Sequence, residues 1–152
     1  MAKRFKWRFA SVKKAKEREE ERNQEALAEA RRALRAEEAE LSRLLELRAA
    51  CWQQVREKQS GALNTADLLL AHAYLEKLSG QIQEQARRVE NARSGADRKR
   101  SVLLKTVQER KVLENLKDRD YREFRKEERR RDQAAMDETA NRRSFDNGRT
   151  SV

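Results

Sequence analysis

The residues with most to offer chemistry are His72 and Cys51, the single histidine and the single cysteine of a 152-residue chain. Side by side they would form a nucleophile with its base, or part of a metal site. One of each falls short of a four-ligand zinc site, and one cysteine excludes an intramolecular disulfide framework. General acid–base work needs a second positioned group and a pocket that excludes water. The chain carries no Gly-rich phosphate loop, no GxSxG and no HExxH. The expectation is therefore no enzyme: no catalytic residue, no metal, no cofactor and no small-molecule substrate. Cys51 reads as a small hydrophobe on an apolar stripe.

Two basic runs, Arg98-Lys99-Arg100 and Arg129-Arg130-Arg131, could neutralise phosphates on a nucleic acid. Against this, Asp and Glu are interleaved throughout, and a basic-zipper protein sets one basic block directly before one parallel zipper. A solvated helix face accounts for the runs; a basic nucleic-acid-associated coiled coil stays as an alternative. At the amino end Phe5, Phe9 and Val12 share one helical stripe among Lys and Arg, as on a helix lying at an anionic membrane. Trp7 stands about 200° round the helix from Phe5, so a helix here has no single aromatic face. Two aromatic directions point to a second contact surface on a protein partner.

Composition decides what must hold these residues. With no Pro, 4 Gly, 5% aromatic and 42% charged residues, the chain has little for turns, strands or a thick core. Charges of mixed sign and regularly spaced Leu, Ile and Val argue for long helix over disorder. The positive amino end is not followed by the apolar run of about 7 to 15 residues that a secretory signal needs, and no stretch reaches the roughly 20 apolar residues of a membrane span.

Turn signals gather at Gln59-Ser60-Gly61-Ala62-Leu63-Asn64-Thr65, with Asn64 placed to cap a helix and Asp67 in its first turn. Before the bend Leu27, Ala30, Leu34, Leu41, Leu44, Cys51 and Val55 recur at three and four, broken by Glu37 and Arg48. After it Leu68, Ala71, Leu75, Leu78, Ile82, Val89, Ala92, Ala96 and Leu103 do the same, interrupted by Gln85 and Lys99. Gly80 and Gly95 are read as tolerated inside the second helix. The predicted fold is all-α: a long antiparallel two-helix coiled-coil hairpin with the second helix longer than the first. The helices are placed at about 5–59 and 65–141, the bend at about 60–64, and a flexible tail at 144–152, with 1–143 as one domain. Partners across the seam should have numbers summing to about 123, which matches Val55 with Leu68, Leu45 with Leu78, Leu41 with Ile82 and Leu34 with Val89. Beyond about residue 119 the second arm is expected to overhang, leaving Tyr121, Phe124 and Met136 for another protein. Residues 1–18 hold eight Lys or Arg against one Glu and residues 87–131 seventeen against nine, so the open end is basic while 19–86 is net −4.

The order and spacing of three segments resemble one family across nearly the whole chain. They are Lys3-Arg4-Phe5-Lys6-Trp7-Arg8-Phe9; Leu63-Asn64-Thr65-Ala66-Asp67 leading to Tyr74-Leu75-Glu76-Lys77-Leu78; and Arg110-Lys111-Val112-Leu113-Glu114-Asn115-Leu116-Lys117-Asp118-Arg119 followed by Glu128 to Ala140. The last is similar to an "RK-x-LE-x-LK-x-R" then "E-x-x-R-x-x-Q-x-x-[LM]-DE-x-A" pattern. The chain resembles FliJ, the coiled-coil component of the bacterial flagellar type III export apparatus.

The resemblance implies a stalk-like, non-enzymatic coupling factor that binds the export ATPase ring and promotes its assembly. It further implies contact with the cytoplasmic domain of the membrane export gate and a role in recycling export chaperones. The implied location is cytoplasmic, at the inner-membrane face of the flagellar base. Phe5, Trp7, Phe9, Leu113, Leu116, Tyr121 and Phe124 correspond to ring contacts. Glu40, Leu44, Leu47, Cys51, Tyr74, Leu78, Gln81 and Gln85 correspond to gate contacts. Members often carry His where Gln85 stands and aromatics where Leu47 and Cys51 stand. The stalk protein of a virulence-type secretion system is the related alternative.

Overall fold

The computed structural model describes residues 3–61 and 64–149, so Ala62 and Leu63 of the expected bend and 150–152 of the expected tail lie outside the described residues. Helix α1 runs Ala10–Gln59 and helix α2 runs Thr65–Arg149, and no strand occurs among the described residues. The two pack antiparallel as a coiled-coil hairpin with the second helix the longer. Their length follows from a sequence without Pro and dominated by Ala, Leu, Glu, Lys, Arg and Gln, the better helix formers. Helix α2 passes through Gly80 and Gly95 without interruption.

The helix ends show local chemistry. Asn64 caps α2: its side-chain oxygen accepts from the amide of Ala66 at 3.1 Å, its carbonyl accepts from the amide of Leu68 at 3.2 Å, and Asp67 sits in the first turn. At the end of α1, Arg56 and Lys58 occupy the last turn and the Ser60 hydroxyl donates to the Glu57 carbonyl at 2.7 Å. Two expected boundaries move. The first helix starts at Ala10, not near residue 5, and residues 144–149, expected in a flexible tail, are helical.

By contacts the chain divides into two compact units. The unit Glu20–Lys105 contains the bend. It buries Leu27, Leu44, Cys51 and Val55 of α1 and Leu75, Leu78, Val89 and Ala96 of α2. Leu78 is 2% exposed, a burial that contributes about 2 kcal/mol. The seam differs from the expected pairs at two places: Leu45 is 38% exposed while its neighbour Leu44 is buried, and Leu68 is exposed while Leu75 is buried. Choosing between adjacent leucines changes the helix face by 100°, which is the difference between seam and flank. Leu34 and Ile82 are half-buried as the pairing requires, as is Leu41, and Val89 is buried. Two of the four polar interruptions of the stripes meet: the Gln85 amide donates to the Glu37 backbone carbonyl at 3.0 Å and to the Glu37 carboxylate.

The other unit joins the chain's first residues to 106–149. Lys16 reaches across from α1 to the Glu109 carboxylate and also binds Glu19 at 2.9 Å. Its 21 Lys and Arg against 13 Asp and Glu make it the more basic of the two.

Candidate functional site

Residues 3–9 precede α1 without helical structure and lie against α2. Phe5, Trp7 and Phe9 are spaced by two, which would scatter them round a helix; here residues 3–7 have no regular structure, 8–9 form a turn, and both Phe5 and Trp7 reach α2. Phe5 packs edge-on against Tyr121 with centroids 5.4 Å apart and against Phe124 at 5.3 Å. The Trp7 indole is buried and donates through Nε1 to the Asp120 carboxylate at 3.0 Å. Phe9 meets Trp7 edge-on at 5.8 Å and carries the Arg8 guanidinium over its ring at 4.6 Å. Farther out the Lys3 amide donates to the Glu128 carboxylate at 3.1 Å.

This corrects the expected overhang. Positions 120–128 of α2 are not left without an intramolecular partner; the amino-terminal strap occupies them. Tyr121 keeps 47% of its surface exposed, Phe124 is half-buried, and Leu113 and Leu116 are half-buried farther back along α2. From residue 129 to 149 every residue is exposed, Met136 and Phe145 among them. The seven residues matched to ring contacts thus lie in one unit, but Trp7 faces Asp120 rather than solvent. Asp120, Glu128 and Lys3 escaped the sequence reading; the signal for the strap was the Phe-x-Trp-x-Phe alternation.

In the unit Glu20–Lys105 a groove on one flank of the seam is lined by Glu40, Leu44, Gln81 and Gln85, together with Arg43, Lys77, Gly80 and Glu84. Leu47 and Tyr74 are exposed. Cys51, Leu44, Leu78 and Gln85 are buried in the seam, and of these Leu44 and Gln85 also line the groove. At the rim Arg43 clasps Glu40 through Nε at 3.0 Å and Nη2 at 2.6 Å. That hydrogen bond is the main reason the Glu40 carboxyl lies below its ordinary range, and the same contact raises Arg43. Arg43 belongs to this neighbourhood and was not singled out in the sequence, while Glu37, known there as a break in the stripe, bonds Gln85.

His72 and Cys51 are not brought together for chemistry. Cys51 is buried, while His72 is exposed with its Nε2 3.4 Å from Glu76 on the next turn. Among the described residues no group of three His, Cys, Asp or Glu could hold a metal, and no helix is long and apolar enough to cross a membrane.

An antiparallel two-helix seam, with an aromatic cluster in one unit and a rimmed groove in the other, defines a coiled-coil component whose working parts are its surfaces. The chain belongs to the flagellar FliJ protein family, whose model matches residues 5–149, and so takes its place among the parts of the flagellar export apparatus. No curated protein and no solved structure matches it.

Proposed function

We propose that this chain is the stalk-like coupling factor of the flagellar export machine, acting at the cytoplasmic face of the inner membrane, with both units serving as one functional domain over 1–143. The basic unit binds the export ATPase ring; the groove in the unit Glu20–Lys105 meets the cytoplasmic domain of the export gate. Recycling of export chaperones is part of the same reading. The chain does no chemistry itself: by binding the assembled ring in preference to its free subunits it shifts the equilibrium towards assembly.

The observation that carries this reading is the aromatic cluster. Membership of the family supplies the apparatus, and the packing of Phe5 on Tyr121 and Phe124 gathers residues matched to ring contacts onto one surface in a unit of net positive charge. Half-exposed aromatics among arginines are the composition of a protein-binding centre. Phe9 and Leu116 extend the patch.

The test is the rate of ATP hydrolysis by the cognate export ATPase with and without this protein, beside a Phe5→Ala/Phe9→Ala variant. Stimulation by the native chain that the variant loses supports the reading. Equal stimulation by both would remove the aromatic strap from the contact, and no effect of the native chain on rate or ring assembly would refute the ATPase role. For the groove, Tyr74→Ala is expected to weaken capture by the isolated gate domain about tenfold without changing helix content.

A further inference from the structure

Several arginines in the unit Glu20–Lys105 are held in ion pairs: Arg43 with Glu40, Arg87 and Arg88 with Glu84, Arg93 with Glu38 and Glu90. Arg48 and Arg56 have no hydrogen-bond or ion partner among the described residues, a condition shared with Arg31, Arg32, Arg35, Arg98 and Arg100; what sets these two apart is that both line one groove. Midway between them, one turn from each, stands Trp52, 48% exposed. Residues four apart stack on one helix face, and Leu45 and Ala49 fall within the same arc. Together they form one wall of a groove that Ser79 of α2 closes on the other side. None of these residues lines the groove of Glu40 and Gln81, so this is a second surface on the opposite flank of the seam.

A half-exposed indole between two guanidiniums on one groove wall offers apolar area and positive charge to a partner. Trp and Arg are also the residue types that dominate binding centres. The chemistry each offers is specific: a flat apolar face at Trp52, and at Arg48 and Arg56 forks that take carboxylates two at a time. The forks are eight residues apart, about 12 Å along the helix. A helix laid in the groove meets this spacing with carboxylates one turn either side of an apolar residue.

We propose that the Arg48–Trp52–Arg56 face docks an acidic amphipathic helix of a partner protein, which seats an apolar side chain on Trp52 and Ala49 between two carboxylates. A second copy of this chain is the poorer occupant. A two-fold contact centred on Trp52 would lay Arg48 against the copy's Arg56, like charge on like. A bilayer is poorer too: it is flat, whereas Ala49 and Val55 form a wall of the groove, and Glu46 and Glu57 flank the face.

The probe is a labelled synthetic helical peptide of about five turns with Glu one turn before and one turn after a central Leu, beside a version carrying Lys at both places. Binding to the full chain is followed by fluorescence anisotropy. The Glu peptide is expected to bind and the Lys peptide not. Arg48→Glu with Arg56→Glu should weaken the Glu peptide at least about tenfold and admit the Lys peptide. Arg31→Glu with Arg32→Glu, the same charge change on the same helix, should leave binding in place. Trp52→Ala should weaken it about tenfold with circular dichroism unchanged. Equal loss from the Arg31/Arg32 pair would reduce the effect to net charge and overturn the proposal. So would absence of peptide binding, or capture of the chain by anionic vesicles or by itself that Trp52→Ala abolishes.

Discussion

Gln85 of α2 is buried in the seam and donates its side-chain amide to the backbone carbonyl and the carboxylate of Glu37 on α1. Each residue interrupts the apolar stripe of its own helix, and each supplies what the other lacks. Polar layers of this kind lower stability relative to an apolar pair while penalising every other register. Gln85→Ala is expected to cost about 2 kcal/mol by loss of the bond and of packing. Glu37→Leu combined with Gln85→Leu should raise the melting temperature instead, and sedimentation should then reveal more than one association state. A double variant that stays a single species would show that the layer does not set register.

Leu78 and Leu45 separate the true seam from the one a leucine count suggests. Leu78→Ala should lose about 3 kcal/mol in urea denaturation, since almost the whole side chain is buried. Leu45→Ala should stay within about 0.5 kcal/mol of the native chain. Similar losses at both positions would contradict the seam through Leu44.

Trp7 reports on the strap. With Trp52→Phe it is the chain's only tryptophan, and its buried, hydrogen-bonded indole should resist acrylamide quenching. Asp120→Ala removes the acceptor and should leave the indole NH unsatisfied, destabilising the basic unit by about 1 kcal/mol and making Trp7 more quenchable. Unchanged quenching would mean that Phe5 and Phe9 hold the strap without Asp120.

Alkali should loosen the same unit. Lys16 is raised above its ordinary value of 10.5, first by its hydrogen bond to Glu109 and then by that to Glu19. A raised lysine contributes stability that is fully present below its unfolded value and is lost as pH climbs through the folded one. The contribution should therefore be constant through neutral pH and fade above about pH 10.5. Lys16→Met should flatten that part of a melting-temperature profile; an identical profile for both proteins would remove this contact from the cause.

The hairpin was legible because one physical rule, burial of residues at three and four, acts on almost every turn. The sum rule of about 123 fits the Glu37–Gln85 bond across the seam, and the Asn64 cap followed from side-chain chemistry alone. What escaped is what that rule does not govern. The three-and-four stripe carried Leu44, the residue that is buried; the sum rule, which is good only to about a residue, set Leu45 opposite Leu78 instead. The strap escaped because a helical period was applied to residues that alternate by two, although Phe5, Trp7 and Phe9 carried that second period openly. Trp52 escaped for the opposite reason: a large apolar residue off the stripe carries no pattern, and its meaning lies in the groove it lines with Arg48 and Arg56.

Contacts across the hairpin lengthen steadily in sequence. Glu37 and Gln85 are separated by 48 residues, Lys16 and Glu109 by 93, Lys3 and Glu128 by 125. Closing a short loop costs less entropy than closing a long one, so pairing starts beside Asn64 and zips outward. On the ribosome this order has a cost. The first helix leaves the tunnel with its leucines uncovered and has no mate until the second emerges. The aromatic strap, made first, is fastened last, and every nascent copy passes through a stage in which Phe5, Trp7 and Phe9 are open to whatever binds them.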